Sequence, residues 1–217
     1  MTTADRTGTS DAMTHPPATV RRAEPGDALV IAELLAEAFL HGDLAPWLIP
    51  HPGTRARIYP PYFALLAEHA LTHGEVETTR DNTAVAVWYQ IDDGPLPELP
   101  GYRQRLAEIT GEFLPRFAAL DEAMHAHHPY GQPHHYLAFL AVHPDRQRQG
   151  LGTALLNHHH ADLHAAGISA YLEATSTRNS RLYARHGYRP RPVYRIAGDG
   201  PSLFPMWRSP PGPTTHR

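Results

Sequence analysis

An apolar run from His134 to Val142 ends in a His-Pro turn. It is followed at once by Gln147-Arg148-Gln149-Gly150-Leu151-Gly152, which opens a helical pattern reaching about Ala166. No other stretch constrains the fold of this chain so much. A strand, a tight turn and a glycine-spaced helix start gather free backbone N–H groups and the positive end of a helix dipole at one point. Such a point holds an anion, and the glycines let that anion approach the backbone. The ligand predicted from this geometry carries a phosphate or pyrophosphate.

Commoner phosphate loops do not fit. A Walker loop ends in Gly-Lys-Ser/Thr, and all 19 basic residues of this chain are arginine. The dinucleotide fingerprint needs three glycines early in a βαβ unit, whereas this loop lies two-thirds of the way along the chain.

Composition removes several other classes. A net charge of −3 gives no basic footprint for nucleic acid. The absence of cysteine excludes disulfides, thiolate zinc sites and a cysteine nucleophile. No apolar stretch approaches the ~20 residues of a membrane-spanning helix. The start of the chain is rich in Thr, Ser and Asp and lacks the apolar core of a secretory signal. Residues 1–18 and the proline-containing 209–217 are expected to be disordered tails around one domain of 19–208. A cytoplasmic soluble protein is the simplest expectation from these features. Nothing in them fixes an oligomeric state.

Within the domain, Thr19–Glu24 reads as a short strand and Asp27–Phe39 as an amphipathic helix. His41–Thr54, interrupted by prolines, is expected to be loop. A helix is expected within Ile58–His73, with Pro60-Pro61 delaying its start and Gly74 ending it. Glu75–Arg80 and Thr83–Ile91 read as a hairpin turning at Asp81-Asn82. The long segment Asp92–Pro133 contains a helix expected from Tyr102 to about His127, a cover over the substrate side. Ser169–Ala174 reads as a strand, Arg178–His186 as a short helix closed by Gly187, and Tyr188–Ile196 and Leu203–Trp207 as two last strands. The result is an α/β fold with a mixed central sheet flanked by helices and a helical insert before the fourth strand.

"FLAVHPDRQRQGLGTALL", "YLEATSTRNSRLYARHGY" and "AVAVW" resemble stretches of the GNAT acetyltransferase superfamily, and within it of puromycin N-acetyltransferase and its relatives. The likeness covers most of 19–208. It is strong in the last third and weak before Asn82. Asn179 and Tyr183 stand four apart, about one helical turn, the shorter spacing that the puromycin enzyme also has.

The resemblance implies a GNAT fold, acetyl-CoA as co-substrate, and transfer of the acetyl group to the amine of a small molecule, an antibiotic among the candidates. Backbone groups of Leu140, Ala141 and Val142 would pair with the pantetheine arm. The N–H groups of Gln147, Arg148, Gln149, Gly150, Leu151, Gly152 and Thr153 would hold the pyrophosphate, and Asn179 would add a side-chain contact. Tyr183 is the candidate acid, because an unperturbed pKa near ~10 keeps it protonated yet able to serve a thiolate. Core packing is the alternative role for it.

Glu173 is the candidate base, where partial burial can raise a carboxylate pKa. A structural carboxylate receiving hydroxyl hydrogen bonds, with a water chain removing the proton, is the alternative there. The front half and the insert, where acceptors are read, depart from the pattern. A metabolite, amino-acid or protein amine therefore stands as a rival acceptor, and a non-catalytic acyl-CoA-binding protein as a rival function.

The 17 histidines raise the question of a metal. His160 and His164 have the i, i+4 spacing of a zinc pair, but no third ligand is legible near His158-His159-His160. The expectation is a solvent-facing helix surface and no metal. His125, His127, His128, His134 and His135 surround a Pro-Gly loop and are expected to be flexible surface. Phe39, Trp47 and Tyr62 are candidates for an aromatic acceptor pocket or for core. Asp92, Asp93, Glu98, Glu108, Glu112, Asp121 and Glu122 are candidates to attract a cationic amine, or ordinary charges on a helix.

Overall fold

Alternation in the third strand sets up the architecture. Ala84, Ala86 and Trp88 point to one side of the sheet, and Val85, Val87, Tyr89 and Ile91 to the other, so the strand is buried on both faces. The computed structural model describes residues 18–92 and 94–210. Of the expected tails, only Ala18, Ser209 and Pro210 fall among the described residues.

The strands are β1 (Val20–Arg22), β2 (Glu75–Thr79), β3 (Ala84–Ile91), β4 (His134–Val142), β5 (Ser169–Ala174), β6 (Arg189–Pro190), β7 (Tyr194–Arg195) and β8 (Ser202–Arg208). Seven run in the order β1-β2-β3-β4-β5-β8-β6, with β7 paired to β8 off that path. All pairings are antiparallel except β4 with β5. The helices are α1 (Ala28–Phe39), α2 (Ala45–Leu48), α3 (Pro52–His73), α4 (Tyr102–Thr110), α5 (Leu114–His127), α6 (Leu151–Ala166) and α7 (Thr177–Arg185). Helices α1 to α5 cover the face of Val85 and Val87. Helix α6 covers the face of Trp88 with Leu151, Leu155, Leu156 and Leu163. No helix among the described residues is long and apolar enough to cross a membrane.

Three expectations about the helices are corrected. Helix α3 begins at Pro52 and runs unbroken through Pro60 and Pro61. Each proline costs a helix interior about 3 kcal/mol. Both lie on the exposed side, where water can satisfy the carbonyls they leave free, while Tyr59, Tyr62 and Phe63 beside them are buried. Burial of three aromatic side chains, at about 1.5–3 kcal/mol each, offsets that cost. The supposed loop His41–Thr54 holds the short α2 and the first turn of α3. Pro46 and Pro52 each sit in a first turn, where a missing N–H is harmless. The single helix expected over Tyr102–His127 is two, α4 and α5. Gly111 at φ +54° breaks it, and Pro115 starts the next.

Of the last two expected strands, Leu203–Trp207 forms within β8, while Tyr188–Ile196 is corrected. Pro192 interrupts Tyr188–Ile196, which leaves only the short β6 and β7, and the Gly198–Gly200 turn then leads into β8. Leu155, on the inner side of α6, is fully buried. Replacing it with alanine should cost about 2–5 kcal/mol through lost transfer energy and a cavity. The urea midpoint of unfolding should fall accordingly, with the slope unchanged.

Candidate active site

Strands β4 and β5 pair only at His134–Ser169, His135–Ala170 and Tyr136–Tyr171. Beyond Leu137, β4 stays bonded to β3, while Leu172 to Ala174 of β5 stay bonded to β8. The sheet therefore splits. The split begins at a bulge: Trp88 pairs with Leu137 but Val87 with Phe139, leaving Ala138 as the extra residue. Ala138 and Phe139 in consequence both pack toward α1 and α3, which bends β4 away from its neighbour. A cleft opens at the carboxyl ends of the two parallel strands, the place where α/β sheets bind ligands.

Helices α6 and α7 both start at this opening, after β4 and β5 respectively. Gly150 precedes α6 at φ +84°, a conformation that an L side chain strains to adopt, and Arg148 is left-handed as well at φ +63°. The first bond into the helix is from Ala154 N–H to Gly150 O at 2.9 Å. The N–H groups of Leu151, Gly152 and Thr153 thus have no acceptor within the helix. A Cβ on Gly152 would lie 3.7 Å from the Leu140 and Val142 side chains, an ordinary contact, which places the helix start directly against the end of β4. The loop is braced by Arg146 bonding to Gln149 at 3.0 Å and to Asp81 at 3.3 Å, and by Gln149 donating to the Asp145 carbonyl. Leu140, Ala141, Val142 and the loop from Gln147 to Thr153 thus stand together at the split end of β4, with the N–H groups of Leu151, Gly152 and Thr153 unbonded within the helix.

Glu173 comes from the splayed part of β5, on the face covered by the insert. The Tyr171 hydroxyl donates to its Oε1 at 2.8 Å, and the Tyr194 hydroxyl approaches the same oxygen at 3.4 Å. Oε2 is buried with no partner among the described residues. Burial pushes the carboxyl pKa up to about 7, against the hydrogen bonds from Tyr171, Tyr136 and Tyr194, which pull it down. Glu173 is therefore both a hydroxyl-bonded carboxylate and a group that exchanges its proton near neutrality.

Tyr183 lies on the opposite face of the sheet, packed against the α6 cluster and edge-on to Tyr188 at 5.9 Å between ring centroids. Burial pushes its pKa upward. One turn earlier, Asn179 donates from its amide to the Thr175 hydroxyl at 3.2 Å, and Thr175 donates to Asp43 of the α1–α2 connection at 3.3 Å. That chain of contacts ties the start of α7 to the α1–α2 connection.

Over residues 107–190 the chain matches the acetyltransferase (GNAT) domain. A Corynebacterium glutamicum protein described as histone acetyltransferase HPA2 and related acetyltransferase is 30% identical, over 92% of this chain and 99% of that one, with a TM-score of 0.71. This chain belongs to the GNAT acetyltransferases. Two more distant structures share the fold. They are the ribosomal-protein-S18-alanine N-acetyltransferase of Escherichia coli (19% identity, 92% of this chain, 99% of that one, TM-score 0.52) and mosquito arylalkylamine N-acetyltransferase like 5b (16%, 88%, 99%, 0.58). The protein is an acyltransferase with the GNAT fold, a family that generally uses acetyl-CoA.

Around this GNAT cleft, the aromatic candidates and Asp121 are packed into the core or bonded to other side chains. Phe39 and Tyr62 are core, stacked on Phe63 and set edge-on to Phe117 respectively. Trp47 instead bridges the insert and the β7–β8 turn. Its Nε1–H donates to Asp199 at 3.1 Å, while Arg116 lies over its ring and bonds its carbonyl. Asp121 is spent on the Tyr102 hydroxyl at 2.9 Å, and burial raises its pKa to about 6. Asp93 lies outside the described residues.

His134 and His135 are buried in β4, not at the surface, and His159 and His160 are buried on the inner side of α6, not solvent-facing. His160 bonds the Tyr188 hydroxyl at 3.0 Å while His164 is exposed, so the i, i+4 pair does not converge. Sequence reasoning missed the tyrosines around Glu173. Tyr171 two residues earlier on the same strand face was the one available signal; Tyr136 and Tyr194 arrive only through the fold.

Proposed function

We propose that this protein transfers an acetyl group from acetyl-CoA directly to the amine of a small molecule, with Glu173 as general base and Tyr183 as general acid. The observation that carries this reading is the gap between β4 and β5, with Glu173 on one face of the sheet and Tyr183 on the other. Only a substrate threaded through the gap can meet both. The loop from Gln147 to Thr153, with the N–H groups of Leu151, Gly152 and Thr153 unbonded within the helix, fits the pyrophosphate, the edge of β4 away from β3 at Leu140, Ala141 and Val142 fits the pantetheine amides, and Asn179 adds an amide at the α7 side.

Glu173 Oε2 takes the proton of the acceptor ammonium, directly or through a water. The freed amine attacks the thioester carbonyl, its nitrogen gives up a second proton to solvent as the tetrahedral intermediate collapses, the carbon–sulfur bond breaks, and Tyr183 gives its hydroxyl proton to the departing thiolate. The tyrosine regains that proton from solvent, and no acyl-enzyme forms. Our reading places the reaction in the cytoplasm. Antibiotic amines enter because the last third of the chain resembles puromycin N-acetyltransferase, against metabolite, amino-acid and protein amines as rival acceptors.

A free-thiol assay for CoA release over amines of each class, aminonucleosides included, tests the acceptor. Acetyl-CoA alone should raise the melting temperature, as any ligand of the native state must, by roughly 5–10 °C at a hundredfold excess over its dissociation constant. No shift far above micromolar acetyl-CoA would remove the donor assignment.

A further inference from the structure

Away from the cleft, on the face of the sheet under α6, a chain of polar side chains is buried beside the Trp88 ring. His135 of β4 and His159 of α6 are 7% and 1% exposed. His135 Nδ1 lies 3.0 Å from His159 Nε2, and His159 Nδ1 lies 3.1 Å from Glu77 Oε1. His158 reaches the same Glu77 oxygen from the surface at 3.1 Å. Trp88 stacks flat on the His159 ring, 4.0 Å between centroids and 9° between planes, which fixes that ring. The half-exposed Glu75 completes the group: one donor atom each from Glu75, His135 and His159 lie within 4.8 Å of one another.

We propose that Glu75, His135 and His159 form a binding site for a divalent zinc-type ion that joins β2, β4 and α6. Three features of the cluster go beyond core packing. First, the donors are two imidazole nitrogens and one carboxylate, a set that suits zinc with a water in the fourth place. Second, tetrahedral ligation at zinc–nitrogen distances of 2.0–2.1 Å separates two ligand nitrogens by about 3.3 Å, close to the 3.0 Å between His135 and His159. A small spreading of the rings would admit the ion in place of the shared proton. Third, Glu77 accepts from His159 Nδ1–H, which leaves the Nε2 lone pair aimed at His135. A carboxylate behind a histidine is the usual outer support of a ligating imidazole. Glu77 Oε2 is buried without a partner among the described residues, so this side chain has an acceptor not satisfied by the surrounding protein. Glu75 provides the route from solvent. The ion would sit at the start of β4, whereas the cleft opens at its far end, so its effect is on the fold.

Zinc chloride is the probe, added to metal-free protein after chelation. The expected result is one equivalent bound and a melting temperature raised by roughly 5–10 °C at a hundredfold excess over the dissociation constant. Cobalt(II) in its place should give the visible absorption of a nitrogen- and oxygen-ligated tetrahedral ion. His135→Asn should abolish both signals, and Glu77→Gln should weaken binding roughly 10–100-fold. Glu75→Gln, at a half-exposed position, keeps the test open should His135→Asn lower the stability of the metal-free protein. His164→Asn, on the exposed side of α6, should change nothing. Zinc binding that survives both His135→Asn and Glu75→Gln, or no binding tighter than that of exposed histidines, overturns the proposal.

Discussion

Glu173→Gln should lower kcat/KM for a good amine by about 10²–10³ above pH 7, the usual worth of a positioned base. The same substitution should abolish the rise in rate that the unmodified protein shows as pH climbs through about 7, where burial has moved this carboxyl from 4.5. The conservative amide keeps an acceptor for the Tyr171 hydroxyl, so the loss reports the missing base.

Stability should move the other way. A carboxyl whose pKa is higher folded than unfolded favours the native state only while it is protonated. That contribution is complete below about 4.5 and lost as pH passes about 7. At pH 8 the native protein therefore carries a buried carboxylate at a cost of roughly 3 kcal/mol. Glu173→Gln should raise the melting temperature at pH 8 and change it little at pH 4.5. A protein that loses activity and stability together at pH 8 would show Glu173 to be a structural anchor. Unchanged activity would remove it from the chemistry.

Local and long-range requirements divide the parts of the site that the residues disclose from those they hide. The loop from Gln147 to Gly152 was legible because its requirements are local: a strand end, a left-handed glycine and unpaired N–H groups within one turn. The placement of Asn179 and Tyr183 one turn apart on a short helix was legible for the same reason. The surroundings of Glu173 were not, because Tyr136, Tyr171 and Tyr194 belong to three strands that only the folded sheet brings together. The split sheet was equally hidden, since a bulge at Ala138 leaves no mark in an apolar run.

The histidines of α6 are a different failure, because there the pattern was readable. Leu155 and Leu156 followed by Leu163 define a buried stripe, and His159 and His160 occupy the positions four further along from the first two. Three consecutive helical residues span about 200° of the surface, so His158-His159-His160 had to send at least one ring inward. Pro60-Pro61 misled in the opposite sense. The local cost of proline is real, but it is decided by which side of the helix the prolines face, and that is a tertiary fact.

Tyr183→Phe should lower kcat by about 10²-fold or more while leaving acetyl-CoA affinity within about twofold. The ring stays packed edge-on to Tyr188, so binding and folding lose nothing that the ring supplied. Burial alone moves the pKa of this hydroxyl, with no hydrogen bond contributing to the shift. Removing a hydroxyl that makes no bond costs the native state little, and the melting temperature should hold. The upward shift keeps the proton on the oxygen throughout the assay range, so the acid should contribute no falling limb near neutrality.

The leaving group gives the sharper measurement. A thiol of pKa near ~8.5 departs poorly as its anion at neutral pH and benefits from a proton. A thioester of a more acidic thiol departs without help. The ratio of native to Tyr183→Phe rates should therefore shrink as the leaving thiol becomes more acidic. A Tyr183 that only packs the core would give a ratio independent of the thiol. A ratio near one with acetyl-CoA itself would leave the departing thiolate to solvent and end the assignment of Tyr183 as the acid.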